Sequence, residues 1–455
     1  MDTNANNKPP SDRYNVIWII FCLLGISDVL PLYLTLTSSE YFKSSLNFSE
    51  SADSSAQLNS NSSDNESTFL QSNIDTILTV ANVAPLIIFS TISTFLQSKN
   101  VSHKQLIGYL LVILAVEIVQ TILLNEWTDN AVVAFIIQLV LFLIANSSTA
   151  MIGSVVSGLV GIFPQRYTTA HMIGQGLSFI FTSVALLISM TGHTDWTHQI
   201  FIFFLMSSSM VFITVCGCSI LPKFEFVQFY TRKQKKEKGE LKQSSTNSTS
   251  QDATDVKVVF WKNLCSRKTT AIERFKQNMK SLFQIFLKVW VQCTIGFVVL
   301  AVRTITVPSI VGRVVPLTLT DGLWMHFFSP VFAYLLLAVS DTFGRFATLL
   351  YVFPSARCIW LLLFVGLYTL FLPAFLFCNV QPRSHLPVVF KYDAIFIVLV
   401  LVFAMMGGYL RTICSCHITQ IMPVDKVNIA GEMVNLFSVY GSILGFLAFL
   451  FTAIV

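Results

Sequence analysis

Long apolar runs separated by short polar turns dominate this chain, and their length carries the first signal. A helix needs about 20 consecutive apolar residues to cross the hydrocarbon core of a bilayer. Eleven stretches are of that order: residues 15–37, 76–97, 104–125, 131–162, 168–191, 198–221, 283–309, 323–350, 356–377, 392–415 and 430–454. Each is predicted to be a transmembrane helix. The first follows Lys8 and Arg13 as a secretory leader would, but its length, Asp28 and Pro31 predict a retained signal-anchor. Six spans precede a polar interruption at 222–282 and five follow it. The pattern therefore predicts an all-α integral membrane protein. Its parts are a tail at 1–14, a six-helix bundle at 15–221 with a loop at 38–75, a linker at 222–282 and a five-helix bundle at 283–455.

Composition removes the soluble alternative. Of 455 residues 54% are hydrophobic and only 12% charged, where soluble domains carry about 25% charge. Charge placement then sets orientation. Lys223 to Lys280 holds 14 of the 29 Lys and Arg residues but 6 of the 24 Asp and Glu residues. Flanked by membrane spans, this run reads as a cytosolic loop obeying the positive-inside bias and not as a nucleic-acid site. The 38–75 loop is acidic and carries Asn-x-Ser sequons at Asn47, Asn61 and Asn65, which predicts a glycosylated exterior loop. The N-terminus is thus expected in the cytosol and, with eleven spans, the C-terminus outside. The tail Met1–Asn15 has no acidic dileucine signal, which points to the plasma membrane. Sequons at Asn100, Asn146 and Asn247 fall at cytosolic or membrane positions and are expected to be unused.

Most of the nine cysteines lie in apolar stretches; Cys216-Gly-Cys218 and Cys414-Ser-Cys416 lack metal-site spacing and read as packing residues. No phosphate-binding loop, HExxH or GxSxG motif is present, so neither a primary pump nor an intramembrane enzyme is indicated, and no cofactor is expected. Two bundles joined by a polar linker suit alternating access, with substrate held near the midplane. The candidate chemistry is Asp341-Thr-Phe-Gly344-Arg345, inside the apolar eighth span. Charges at membrane depth are costly and usually face a polar cavity. Spacing i, i+4 puts both side chains on one helix face, where they either hold a polar solute or form an ion pair that pins neighbouring helices.

An ordered set of segments resembles the equilibrative nucleoside transporter family: Gly158-Leu-Val-Gly161-Ile-Phe-Pro164-Gln-Arg-Tyr167, Gly174-Gln175-Gly176, Leu221-Pro222-Lys223, Asp341-Thr-Phe-Gly344-Arg345, Cys378-Asn379, Pro387 to Asp393, Gly408-Tyr409-Leu410 and Ala430-Gly431-Glu432. The resemblance runs from about Ile17 to Phe451 and implies eleven helices in a 6+5 major-facilitator-like fold. It also implies that Asp341 and Arg345 contact the sugar hydroxyls of a bound nucleoside. Gly174 and Gly176 read as close-packing positions.

The departures from the family concentrate in the cavity. Leu32-Tyr33 replaces a Trp-Asn after Pro31, and Gly153 replaces the Gln that reads the nucleobase. Leu337-Ala338 replaces a Phe-Asn, Tyr368 an Arg, and Gly407 an Asn. Asp28 and Arg303 are new charges at neutral positions of helices 1 and 7, and they are expected to pair across the two halves. Glu117 and Arg411 are further intramembrane charges. The reading is a facilitative, alternating-access transporter of nucleosides, with nucleobases as further cargo and weakened base discrimination. The alternatives are a polyspecific, proton-linked organic cation or amine carrier, and a membrane scaffold that does not transport.

Overall fold

The computed structural model describes residues 10–37, 42, 63–96, 103–125, 131–191, 196–234, 259–317, 325, 327–355, 360–381, 387–423 and 426–447. Its helices in chain order are α1 (Val16–Thr37), α2 (Ser63–Leu96), α3 (His103–Asn125), α4 (Ala131–Val160), α5 (Gln165–Thr191), α6 (Trp196–Ile220), α7 (Val259–Ser309), α8 (Leu336–Leu350), α9 (Trp360–Thr369), α10 (Phe371–Leu376), α11 (Asp393–Ile421) and α12 (Val427–Ile443). Among the described residues nine helical segments are long and apolar enough to cross a membrane. The ninth predicted span is the broken pair α9–α10. The eleventh is α12 with a short turn, Leu444–Leu447, and its last residues lie outside the described ones.

Several boundaries differ from the sequence reading for identifiable reasons. Helix α2 begins at Ser63, so the final part of the predicted 38–75 loop is helical. Helix α7 begins at Val259, well inside the predicted 222–282 linker, and residues 225–234 are helical too. Both extensions are polar enough to be soluble, and a hydropathy window sees only the part of a helix that lipid covers. The α9–α10 break falls at Leu370. Pro373 lacks an amide hydrogen and its ring crowds the carbonyl four residues back, at Thr369, which ends α9 there. A wide-turn segment, Ser329–Leu335 with Pro330, leads into α8 just ahead of Asp341.

The two halves repeat one packing scheme. Helix α1 packs on α5 and α2 on α4; correspondingly, α7 packs on α12 and α8 on α11. Glycine makes these crossings close. A Cβ at Gly25 would meet the His171 carbonyl, and one at Gly174 the Cys22 carbonyl. In the other half a Cβ at Gly344 would meet the backbone of Met405, and one at Gly408 that of Asp341. Small residues that let membrane helices touch backbone to backbone substitute dispersion contacts for the hydrophobic drive that lipid cannot supply. The halves meet chiefly where α5 contacts α8 and where α2 and α4 contact α12.

The family-like residues at the helix ends act as braces. Asn379 Nδ2 donates to the Val315 carbonyl at 2.9 Å, and Asp393 Oδ1 accepts from Leu317 N at 2.9 Å, tying the chain after α7 to α10 and α11. The Tyr409 hydroxyl donates to the Phe353 carbonyl at 2.7 Å and fixes the exit of α8. Phe163, Tyr167, Phe226 and Tyr230 form an aromatic cluster at one end of the first bundle. Asn146 is fully buried and donates to Asn82 Oδ1 at 2.8 Å.

Candidate functional site

Asp341 and Arg345 share one face of α8, and Arg345 Nε donates to Asp341 Oδ2 at 2.8 Å. The other carboxylate oxygen accepts from Arg303 Nη1 of α7, also at 2.8 Å. Asp341 is 1% exposed and Arg345 2%. A carboxylate so deeply buried requires this double hydrogen-bonded pairing, because an uncompensated charge at that depth costs several kcal/mol. Arg345 also reaches into the other half: its Nη1 donates to the Met172 carbonyl at 2.6 Å and to Gln175 Oε1 at 3.4 Å, both on α5. Gly176 permits that approach, since a Cβ there would lie 2.6 Å from Thr342 Oγ1 and 3.2 Å from Arg345 Cδ.

The predicted pair between Asp28 and Arg303 is not formed. Arg303 pairs with Asp341 of its own half and lies over the Phe179 ring, 5.1 Å from the centroid. Asp28 Oδ2 instead accepts from Gln175 Nε2 at 2.9 Å, with His171 Nε2 3.4 Å from the same oxygen. The close α1–α5 crossing at Gly25 and Gly174 decides this, because it presses the Asp28 face of α1 onto the α5 turn that carries His171 and Gln175. A polar chain results: Arg303, Asp341, Arg345, Gln175, Asp28 and His171, spanning both halves through the Gln175 amide.

A cavity of about 60 Å³ lies between the halves beside this chain. Asp28, Gly153, His171, Gln175, Arg411 and Asn435 are on its wall. It narrows toward the α4–α5 and α11–α12 turns, where a Cβ on Gly161 would meet the Val427 side chain and one on Gly431 would lie 3.3 Å from Ser157 Cβ. Gly153 is on the cavity wall. Leu32 is not on the wall; its carbonyl accepts from Asn82 Nδ2 at 3.4 Å. Asp341 and Arg345 are also off the wall in this state and connect to it through Gln175.

Other substitutions compensate one another. Tyr368 stacks on Phe403 with centroids 4.8 Å apart, and a Cβ on Gly407 would lie 2.9 Å from the Tyr368 hydroxyl, so this Tyr requires the neighbouring Gly. Glu117 accepts from Ser207 Oγ at 2.9 Å between α3 and α6, away from the cavity. Asn47 and Asn61 lie outside the described residues; Asn65 falls in the first turn of α2, its side chain outside them. The sequence reading missed His171, Gln175 and Asn435. Gln175 stood visibly between two glycines, but a lone Asn or His in an apolar helix carries no signal of its direction.

Comparison with known proteins bears on this arrangement. The family model described as nucleoside transporter matches residues 136–453. Equilibrative nucleoside transporter 1 of Homo sapiens is 28% identical, covering 99% of this chain and 100% of the relative. Equilibrative nucleoside transporter 2 of Homo sapiens is also 28% identical, with the same coverage. Among solved structures, the major facilitator superfamily proton:xylose symporter XylE of E. coli superposes with a TM-score of 0.59 at 12% identity, covering 97% of this chain and 89% of that one. The fold is that of the major facilitator superfamily.

Proposed function

The chain belongs to the nucleoside transporter family, and from that premise we propose that it carries nucleosides across a membrane, down their gradient, by alternating access between its two halves. The observation that carries the site assignment is the buried cluster in which one carboxylate, Asp341, is shared by Arg303 and Arg345 beside the interface of the halves. A ribose diol offers hydroxyl donors to a carboxylate and hydroxyl acceptors to a guanidinium, so it can replace these contacts one for one. The cavity is far smaller than the roughly 300–1,000 Å³ of small-molecule pockets. Substrate entry therefore requires the halves to part, loosening Arg345 from Met172 and Gln175 and presenting the clamp. Gly153 forms part of the base-facing wall, and a free nucleobase, lacking the diol, is a poorer cargo.

A cation carrier fits less well. Arg303, Arg345 and Arg411 outnumber Asp28 and Asp341 near the interface, and Glu117 is engaged elsewhere. Residence in the plasma membrane, a cytosolic N-terminus, an exterior C-terminus and glycans on Asn47, Asn61 and Asn65 complete the proposal. Its test is uptake of labelled uridine and adenosine in cells lacking endogenous nucleoside transport. The expected result is saturable uptake that Asp341→Asn and Arg345→Ala abolish at matched surface levels. Absence of uptake by well-expressed wild type would reject the reading.

A further inference from the structure

Two charged groups on the cavity wall keep hydrogen-bonding capacity that the protein does not use. Asp28 is 6% exposed, and its Oδ2 is engaged by Gln175 and lies near His171. Its Oδ1 points at the gap left by Gly153: a Cβ there would lie 3.5 Å from Oδ1 and 3.4 Å from Asn435 Nδ2. Among the described residues no donor reaches that oxygen. From the opposite half Arg411 lines the same cavity; the carboxylate that acts on it electrostatically, Asp341, has both oxygens taken by Arg303 and Arg345. The other two arginines nearby, Arg303 and Arg345, are both satisfied by Asp341. A charge at membrane depth with unused hydrogen-bonding capacity facing a cavity marks a candidate ligand site.

We propose that Asp28 and Arg411 together read the nucleobase and select bases with a lactam edge, a ring N–H beside a C=O. This rests on the nucleoside transport reading above. Uracil, thymine, hypoxanthine and guanine present such an N–H, which the carboxylate accepts, next to an oxygen, to which the guanidinium donates. Cytosine and adenine reverse both groups. Their ring nitrogen sets a lone pair against the Asp28 oxygen, and their exocyclic amine sets N–H against the Arg411 N–H groups. An acceptor facing an acceptor and a donor facing a donor are each left unpaired in a dry site, which is the condition under which hydrogen-bonding pockets discriminate most strongly. The missing side chain at Gly153 supplies the space for the base edge to reach Asp28. The open position and the new carboxylate are thus two parts of one change in the reader.

The test compares isosteric pairs: uridine against cytidine, and inosine against adenosine, each with the same ribose and nearly the same shape. Initial uptake rates would be measured over a concentration series in transport-deficient cells expressing the full chain. Expected for wild type is a ratio of Vmax/KM favouring uridine and inosine by about tenfold or more. In Asp28→Asn and Arg411→Gln, with surface level measured, both ratios should fall to within about threefold of unity. Saturable uptake of all four nucleosides at similar efficiency by wild type overturns the base assignment and leaves nucleoside transport standing. Uptake of none of them from well-expressed wild type overturns both. The wild-type ratio needs no variant to fold, so the proposal stays exposed to refutation if either substitution fails to reach the surface.

Discussion

Asp341 holds two arginines from two helices at once. Its two oxygens neutralise two guanidiniums, and its backbone lies against Gly408 with no room for a Cβ. Replacing it by Asn leaves Arg303 and Arg345 buried with one neutral partner. The expected loss is roughly 3–5 kcal/mol of stability, read as a lowered thermal midpoint of purified protein in addition to lost uptake. Gly408→Val acts on the same contact from the other side: it drives a branched side chain into the Asp341 carbonyl. Overpacking of this kind costs about 1–3 kcal/mol or more, and the expected result is reduced surface expression, while Gly366→Val, in open space, is tolerated. Sequence spacing alone showed that Asp341 and Arg345 share a face. It did not show that a third residue, Arg303, completes the cluster, because the position of α7 against α8 is a tertiary fact.

At the scale of helices, α5 does most to connect the halves. Within its own half it meets α1 through Gly25 and Gly174, and across the interface it meets α8 through Gly176. One helix therefore carries both a fixed contact and a contact that alternating access must break. Gly176→Leu should push Thr342 and Arg345 away and favour the parted state. The expected readout is faster labelling of a cysteine introduced at Ser157, on the cavity wall, by an impermeant thiol reagent applied from the face bearing the α4–α5 turn. Unchanged labelling would mean that the α5–α8 contact does not hold the halves closed. The spans themselves were legible from apolar length. Their ends were not, since Ser63 to Asp75 and Val259 to Leu282 are helical without being lipid-facing apolar runs.

For the molecule as a whole, each half has its own buried apolar clusters, with Val289, Phe403 and Ile413 in one half and Phe21, Ile113 and Val211 in the other. Residues 235–258, between the two halves in the sequence, lie outside the described ones. Residues 1–240 and 251–455 produced as separate chains in one cell should therefore reassemble and restore uptake, whereas either alone should not. Failure to reassemble would show that the linker itself is needed. By itself the sequence determined the membrane class, the helical two-bundle architecture, the family and the Asp341–Arg345 pair. Each of these follows from chain-local properties: apolar length, charge placement and i, i+4 geometry. Only the tertiary structure decided that Arg303 serves Asp341 and not Asp28, that Gln175 links the halves, and that Asp28, Gly153, Arg411 and Asn435 meet at one cavity. Those partnerships depend on which helices cross closely enough for side chains from distant segments to meet, and glycine positions in both partners, not spacing in either one, set that approach.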